Sequence, residues 1–112
     1  MKIDAVDIYH VSFPLKQPMR VRSSTVPRLE SVLVRPRSGE TFGWGEASPG
    51  AAPTFSGEFA AGAFAAIRDW FAPSIVGTAV DSGEHLQKRL ESFRRNSFAK
   101  GALDMAWWDL RA

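Results

Sequence analysis

SFAKGALDMAWWDLRA, residues 97–112, closes the sequence. Wound at about 100° per residue, it brings Lys100, Asp104 and Arg111 into one narrow polar stripe. Trp107 and Trp108 flank that stripe. Phe98, Ala99, Ala102, Leu103, Met105, Ala106 and Leu110 fill the rest. The apolar arc covers about 220°, roughly twice what a helix lying on a single surface needs. Asp109 is the one charge inside it. Such a helix is buried on at least two sides. It is either the central helix of a small domain or a helix wedged between this domain and another. No Gly, Asn or Pro stop signal follows the last periodic residue, which favours the second reading.

Working upstream, two further helices precede it. Leu86, Leu90 and Phe93 recur at helical spacing, with Asp81 and Glu84 as a capping box. Asn96 breaks that helix, and Asn96 or Ser97 caps the last one. Before it, Phe59, Ala63, Ile67 and Phe71 mark a helix capped by Ser56 and closed at Pro73. The first third of the chain alternates like sheet. Ile3 to Phe13 is a strand that Pro14 ends. Arg28 to Pro36 is a second, with Val32 and Val34 facing one way and Leu29 and Leu33 the other. RSGE (residues 37–40) is a turn of hairpin length. Thr41 to Ala47 is a third strand, with Phe42 and Trp44 on one face and Gly43 and Gly45 on the other. The bare glycine face invites close approach of another backbone. Three antiparallel strands followed by a three-helix bundle give an α+β fold, not alternating βαβ units.

The 112 residues fit one domain. Fourteen Lys and Arg stand against twelve Asp and Glu, a net charge of +2 that gives no electrostatic footprint for nucleic acid. No apolar run is long enough for a membrane span. The N-terminus lacks the apolar stretch of a secretory signal. Cysteine is absent, which excludes disulfides and thiolate chemistry and suits a cytoplasmic protein.

The common catalytic constellations are missing. His10 sits mid-strand and His85 on a polar helix face, and no acid cluster has metal-ligand spacing. Glu46, at a strand end, and Asp109 read first as hydrogen-bonding groups and second as site acids. Two connections stand out, Leu15 to Pro27 and Ser48 to Gly57. The first is long for a strand connection. Its Lys16, Arg20 and Arg22, with Ser23, Ser24 and Thr25, suit a carboxylate. The alternative is a solvated loop.

FPLKQPMRVRSST, GWGEASPGAAPTFSGE, APSIVG and NSFAKGALDMAWWDLRA together resemble, in order and spacing, the N-terminal capping domain of the enolase superfamily. The nearer likeness is to the muconate lactonizing enzyme subgroup within the mandelate racemase/muconate lactonizing enzyme family. That subgroup holds muconate cycloisomerases, o-succinylbenzoate synthases, N-acylamino acid racemases and dipeptide epimerases. The likeness spans essentially the whole chain, residues 1–112. It implies a capping domain followed by a (β/α) barrel absent from these residues, with the last helix lying between the two. It implies an enzyme, an isomerase or lyase, that removes a proton α to a carboxylate by racemisation, epimerisation, cycloisomerisation or dehydration.

On the same resemblance, Mg²⁺ or Mn²⁺ and the catalytic lysines belong to the barrel, so this chain supplies no catalytic or metal-ligating residue and would be inactive alone. Its part is a lid that excludes water and reads the substrate. The residues carried over to that role are Met19, Arg20, Val21, Ser23, Ser24 and Thr25, with Phe55 from the second connection. The implied partners are a small carboxylate substrate, the chain's own barrel and further copies in a homo-oligomer, with neither nucleic acid nor membrane. A stand-alone α+β module that binds small anions, or a protein-interaction domain, is the competing reading.

Overall fold

The computed structural model describes residues 1–21, 24–54 and 56–112; the side chains of residues 15, 18–21 and 24–27 lie outside that description. Four strands are described: β1 (Ala5–Val21), β2 (Ser24–Ser38), β3 (Thr41–Phe42) and β4 (Gly45–Ala47). All pairings are antiparallel, with β1 on one side of β2 and both short strands on the other. The expected third strand is thus present but interrupted. The Gly43 N–H still donates to the Pro36 carbonyl (3.2 Å). The next amide, Trp44 N–H, is diverted out of the ladder to Asp109 Oδ2 (2.7 Å).

The helices follow in sequence. α1 (Ala60–Ala66) runs through a π turn (Ile67–Phe71) into α2 (Ala72–Ile75), so these segments form one continuous helix. α3 (Gly83–Leu90) and α4 (Ser97–Arg111) complete three helices on one face of the sheet. The α+β reading therefore stands. Val32 and Val34 are fully buried beneath the helices, with Val6 and Ile8 packed beside them. Ile67, Phe71, Leu86, Leu90, Leu103 and Trp107 close the core from the helical side. Each such side chain contributes about 1.5–3 kcal/mol on burial. The N-terminus is stitched on separately. Ile3 exchanges backbone bonds with Thr78 and Gly77 (3.0 and 2.7 Å), which places its side chain in the core.

Gly43 and Gly45 set the depth at which α4 docks. A Cβ on Gly45 would lie 1.9 Å from the Ala102 carbonyl oxygen, and one on Gly43 would lie 2.3 Å from the Leu110 amide nitrogen. The bare face seen in the sequence is the floor on which α4 rests, with Ala47, Ala102 and Ala106 as equally small neighbours. The polar stripe of α4 meets its own domain as well. Lys100 Nζ donates to the Phe93 carbonyl, and Asp104 accepts from Gln87 (3.3 Å). Trp107 is buried, and its Nε1–H donates to the Val80 carbonyl (3.2 Å). The wide apolar arc is therefore used mostly inside this domain. Met105 and Trp108, each about half exposed, are the large apolar side chains of α4 that stay uncovered.

Several boundaries differ from expectation, each for a local reason. Pro14 does not end β1. The ladder is irregular between Pro14 and Met19, then resumes as Met19–Val26, Arg20–Thr25 and Val21–Ser24. The expected long loop is instead the outer half of a β-ribbon. Beyond the Val32–Ala47 pair, β2 has lost its second neighbour. Both strands are then edge strands, where proline is tolerated.

The helix ends differ too. Pro73 does not close the first helix, because the wider π turn precedes it and the Ala72 N–H reaches back to the Ile67 carbonyl. Ser56 does not cap that helix; its Oγ accepts from the Glu58 N–H (3.2 Å), and α1 starts at Ala60. Asp81 does not cap α3. Ser82 does, accepting from the His85 N–H (3.0 Å), while Asp81 holds the chain's amino terminus (3.1 Å). The His85 ring in turn accepts from the Asp81 N–H (3.4 Å).

Candidate functional site

The ribbon leaves the helical layer near Val11 and Ser31. Outward from the Ser12–Glu30 pair, the described side chains Phe13, Pro14, Lys16, Gln17, Arg28 and Leu29 are exposed. At its base, on the helix side, His10 Nε2 and Glu30 Oε1 are 2.8 Å apart, and the His10 ring stands 6.0 Å from Phe64. One rung further out, Arg28 Nε–H donates to Ser12 Oγ (2.9 Å). These cross-strand pairs tie the two strands where helices no longer support them.

The second connection, expected as Ser48 to Gly57 and running on to the start of α1 at Ala60, begins beside that base. Ser31 Oγ, almost fully buried, bonds Ser48 Oγ (2.7 Å). The loop closes on itself where the Ala60 N–H donates to the Gly50 carbonyl (2.8 Å). At its far end Glu58 Oε1 accepts the Phe98 N–H (2.9 Å), in the first turn of α4. Ribbon and loop therefore share one end of the molecule, along with the first turns of α1 and α4.

Of the residues expected to meet substrate, Met19, Arg20, Val21, Ser24 and Thr25 occupy the last rungs of the ribbon, with Arg20 opposite Thr25. Their side chains, and Ser23 and Phe55 altogether, lie outside the described residues. Glu46 is exposed on the outer sheet face, opposite Leu33, and no hydrogen bond to its carboxylate appears among the described residues. Asp109 has the structural role, as acceptor for Trp44. Glu58 was not legible as a functional residue. Its partner lies 40 positions away, and no local pattern encodes such a cap.

The outer sheet face holds the clearest electrostatic arrangement. Asp7 accepts from Arg35 (2.8 Å) and Arg37 (2.9 Å). Desolvation alone would raise the Asp7 pKa, but hydrogen bonds and charge from the two arginines outweigh it and hold the carboxyl below its ordinary range. Arg35 also stacks over Phe42 and Trp44, at 5.4 and 5.3 Å from the ring centroids. Among the described residues, no three His, Asp or Glu side chains stand close enough to hold a metal ion.

The α+β unit thus carries a projecting ribbon and a closed loop at one end. Residues 3–112 match the family of the mandelate racemase / muconate lactonizing enzyme, N-terminal domain, and the chain belongs to that family. It is 34% identical over 113 residues to a chloromuconate cycloisomerase of Pseudomonas putida, covering all of this chain and 30% of that protein. It is 33% identical over 114 residues to an o-succinylbenzoate synthase of Geobacillus stearothermophilus, with the same coverage. A muconate lactonizing enzyme from Mycobacterium smegmatis, solved with muconolactone, superposes with a TM-score of 0.88 at 36% identity, over 99% of this chain and 30% of that one. The chain thus spans about 30% of the length of the curated relatives it matches.

Proposed function

We propose that this chain is the capping domain, residues 1–112, of a divalent-metal-dependent enzyme that removes a proton α to a carboxylate, with racemisation, epimerisation, cycloisomerisation or dehydration as the outcome. The observation that carries the reading is the common placement of ribbon and loop. Two segments whose described side chains are largely exposed and absent from the core stand at one end of the α+β body, fastened at their bases. This is the construction of a lid: mobile chemistry is screened from water by elements whose anchors do not move.

Mg²⁺ or Mn²⁺ would stabilise the enolate-like charge in such an enzyme. The described acids here do not fit a metal site, so in this reading the metal and the proton-transfer groups lie in a barrel beyond these residues. What this chain supplies is binding. Arg20, on the ribbon, would meet an anionic group, with Met19, Val21, Ser23, Ser24, Thr25 and Phe55 lining the same mouth. The whole protein would work as a homo-oligomer on small carboxylates.

Arg20→Met in the complete protein tests this. A charge-assisted contact to a carboxylate is worth about 1.5–3 kcal/mol. Its loss should lower kcat/KM on N-succinylamino acids or dipeptides about tenfold to hundredfold. Lys16→Met, on an exposed residue, should leave kcat/KM within about twofold. Equal activity of the Arg20 variant and the parent would show that this chain does not read the substrate's charge there.

A further inference from the structure

Glu58 belongs by position to the second loop but acts on a distant helix. α1 begins at Ala60, and its N-cap, Phe59, contributes no side-chain bond. The Glu58 carboxylate turns instead to α4, accepting the Phe98 N–H. α4 has this vacancy because its own N-cap residue, Asn96, offers no capping bond. Asn96 sits in the left-handed region (φ 60°), and its side chain donates to the Arg94 carbonyl. Phe98 would otherwise present one of the unsatisfied amides of a helix start.

α4 cannot shift to follow the loop. Gly43 and Gly45 seat it against the sheet at backbone contact, and Asp109 locks its other end to Trp44. The fixed partner is thus the helix, and the held partner is the loop. At the leading end the loop is pinned by Ser48 to Ser31, and its neck is closed by Ala60 to Gly50. Between these points Ala51, Ala52, Pro53 and Thr54 are exposed. The one backbone bond described within them runs from the Thr54 N–H to the Ala52 carbonyl.

We infer that Glu58 is a positioning residue, which holds the described loop residues Gly50–Thr54, Ser56 and Gly57 in place by tying the loop's trailing end to α4. Its consequence for substrate binding rests on the proposed lid. Its effect on the loop does not.

The experiment compares Glu58→Ala, Glu58→Gln and Ser82→Ala in the complete protein. Ser82→Ala removes an equivalent cap from α3, which is not joined to the loop. Melting temperature and hydrogen exchange of peptides spanning Ser48–Ala60 are read for each. Glu58→Ala should speed exchange there about fivefold or more beyond any change in Ser82→Ala. Glu58→Gln should largely restore it, since the amide oxygen can accept the same bond. Exchange that rises no more in Glu58→Ala than in Ser82→Ala overturns the inference and leaves Glu58 a helix cap only. With N-succinylamino acids as probe, KM should rise about threefold or more in Glu58→Ala while kcat stays within about twofold. Faster exchange with unchanged KM keeps Glu58 as the loop's anchor and refutes instead the loop's part in the lid.

Discussion

Gly45 and Gly101 are both glycines in or against α4, yet their substitution should have opposite signs. A methyl on Gly45 would meet the Ala102 carbonyl at 1.9 Å, and both groups are backbone, so neither can rotate away. Gly45→Ala should cost about 3 kcal/mol, the upper end of ordinary overpacking. Gly101 has nothing within 4 Å of its Cβ position and lies inside a helix. Gly101→Ala should stabilise by about 0.5–1 kcal/mol through reduced backbone freedom in the unfolded chain. Urea unfolding of both variants checks the pair, and a tolerated Gly45→Ala would mean that α4 does not dock at this depth. Asp7 gives a pH dependence of defined sign. Its folded-state pKa is lowered, so its contribution is full above the unfolded value, about 4, and is lost as pH falls through the folded value. The melting-temperature gap between the parent and Asp7→Asn should be widest above about pH 5 and should narrow below about pH 4. A gap that does not change with pH would remove the Arg35–Asp7–Arg37 network as a source of stability.

Periodicity in α4 set out its length and its buried residues, and the Gly-Trp-Gly alternation set out the surface it needs. What periodicity could not show is which partner covers each side of a helix. The 220° arc suggested a second domain, but sheet, α1 and α3 together cover most of it, leaving Met105 and Trp108. Fluorescence can test this division. Trp107, 2% exposed, should resist an aqueous quencher, while Trp108, 51% exposed, should be quenched. Comparing Trp107→Phe with Trp108→Phe separates the two, and equal quenching of both rings would contradict the packing. The ribbon was misread for another physical reason. Pro14, Pro18 and Pro27 speak against a central strand, but edge strands carry no such restriction, and sequence does not announce where a sheet narrows to two strands. The caps of the first and third helices lay three and one residues beyond Ser56 and Asp81, and the bond from Glu58 to Phe98 was missed because it is not local.

At the scale of the molecule, the body is rigid where α4 and the sheet interlock and lightly held where the ribbon and the second loop project. The fold and the family were legible because four short motifs fall in register over the whole chain. The candidate site was legible only as segments. Met19 to Val21, Ser24 and Thr25 lie on the ribbon's last rungs, and Ser23 and Phe55 lie outside the described residues. The central claim is that these residues cap a reaction whose proton-moving groups are elsewhere. The most direct measurement is exchange of the α-proton for deuterium, followed by proton NMR in D₂O with Mg²⁺ and N-succinylamino acids or dipeptides. The complete protein is expected to exchange that proton in a metal-dependent way, and the 112-residue chain to show no exchange above a protein-free control. Exchange catalysed by the 112-residue chain alone would contradict the claim.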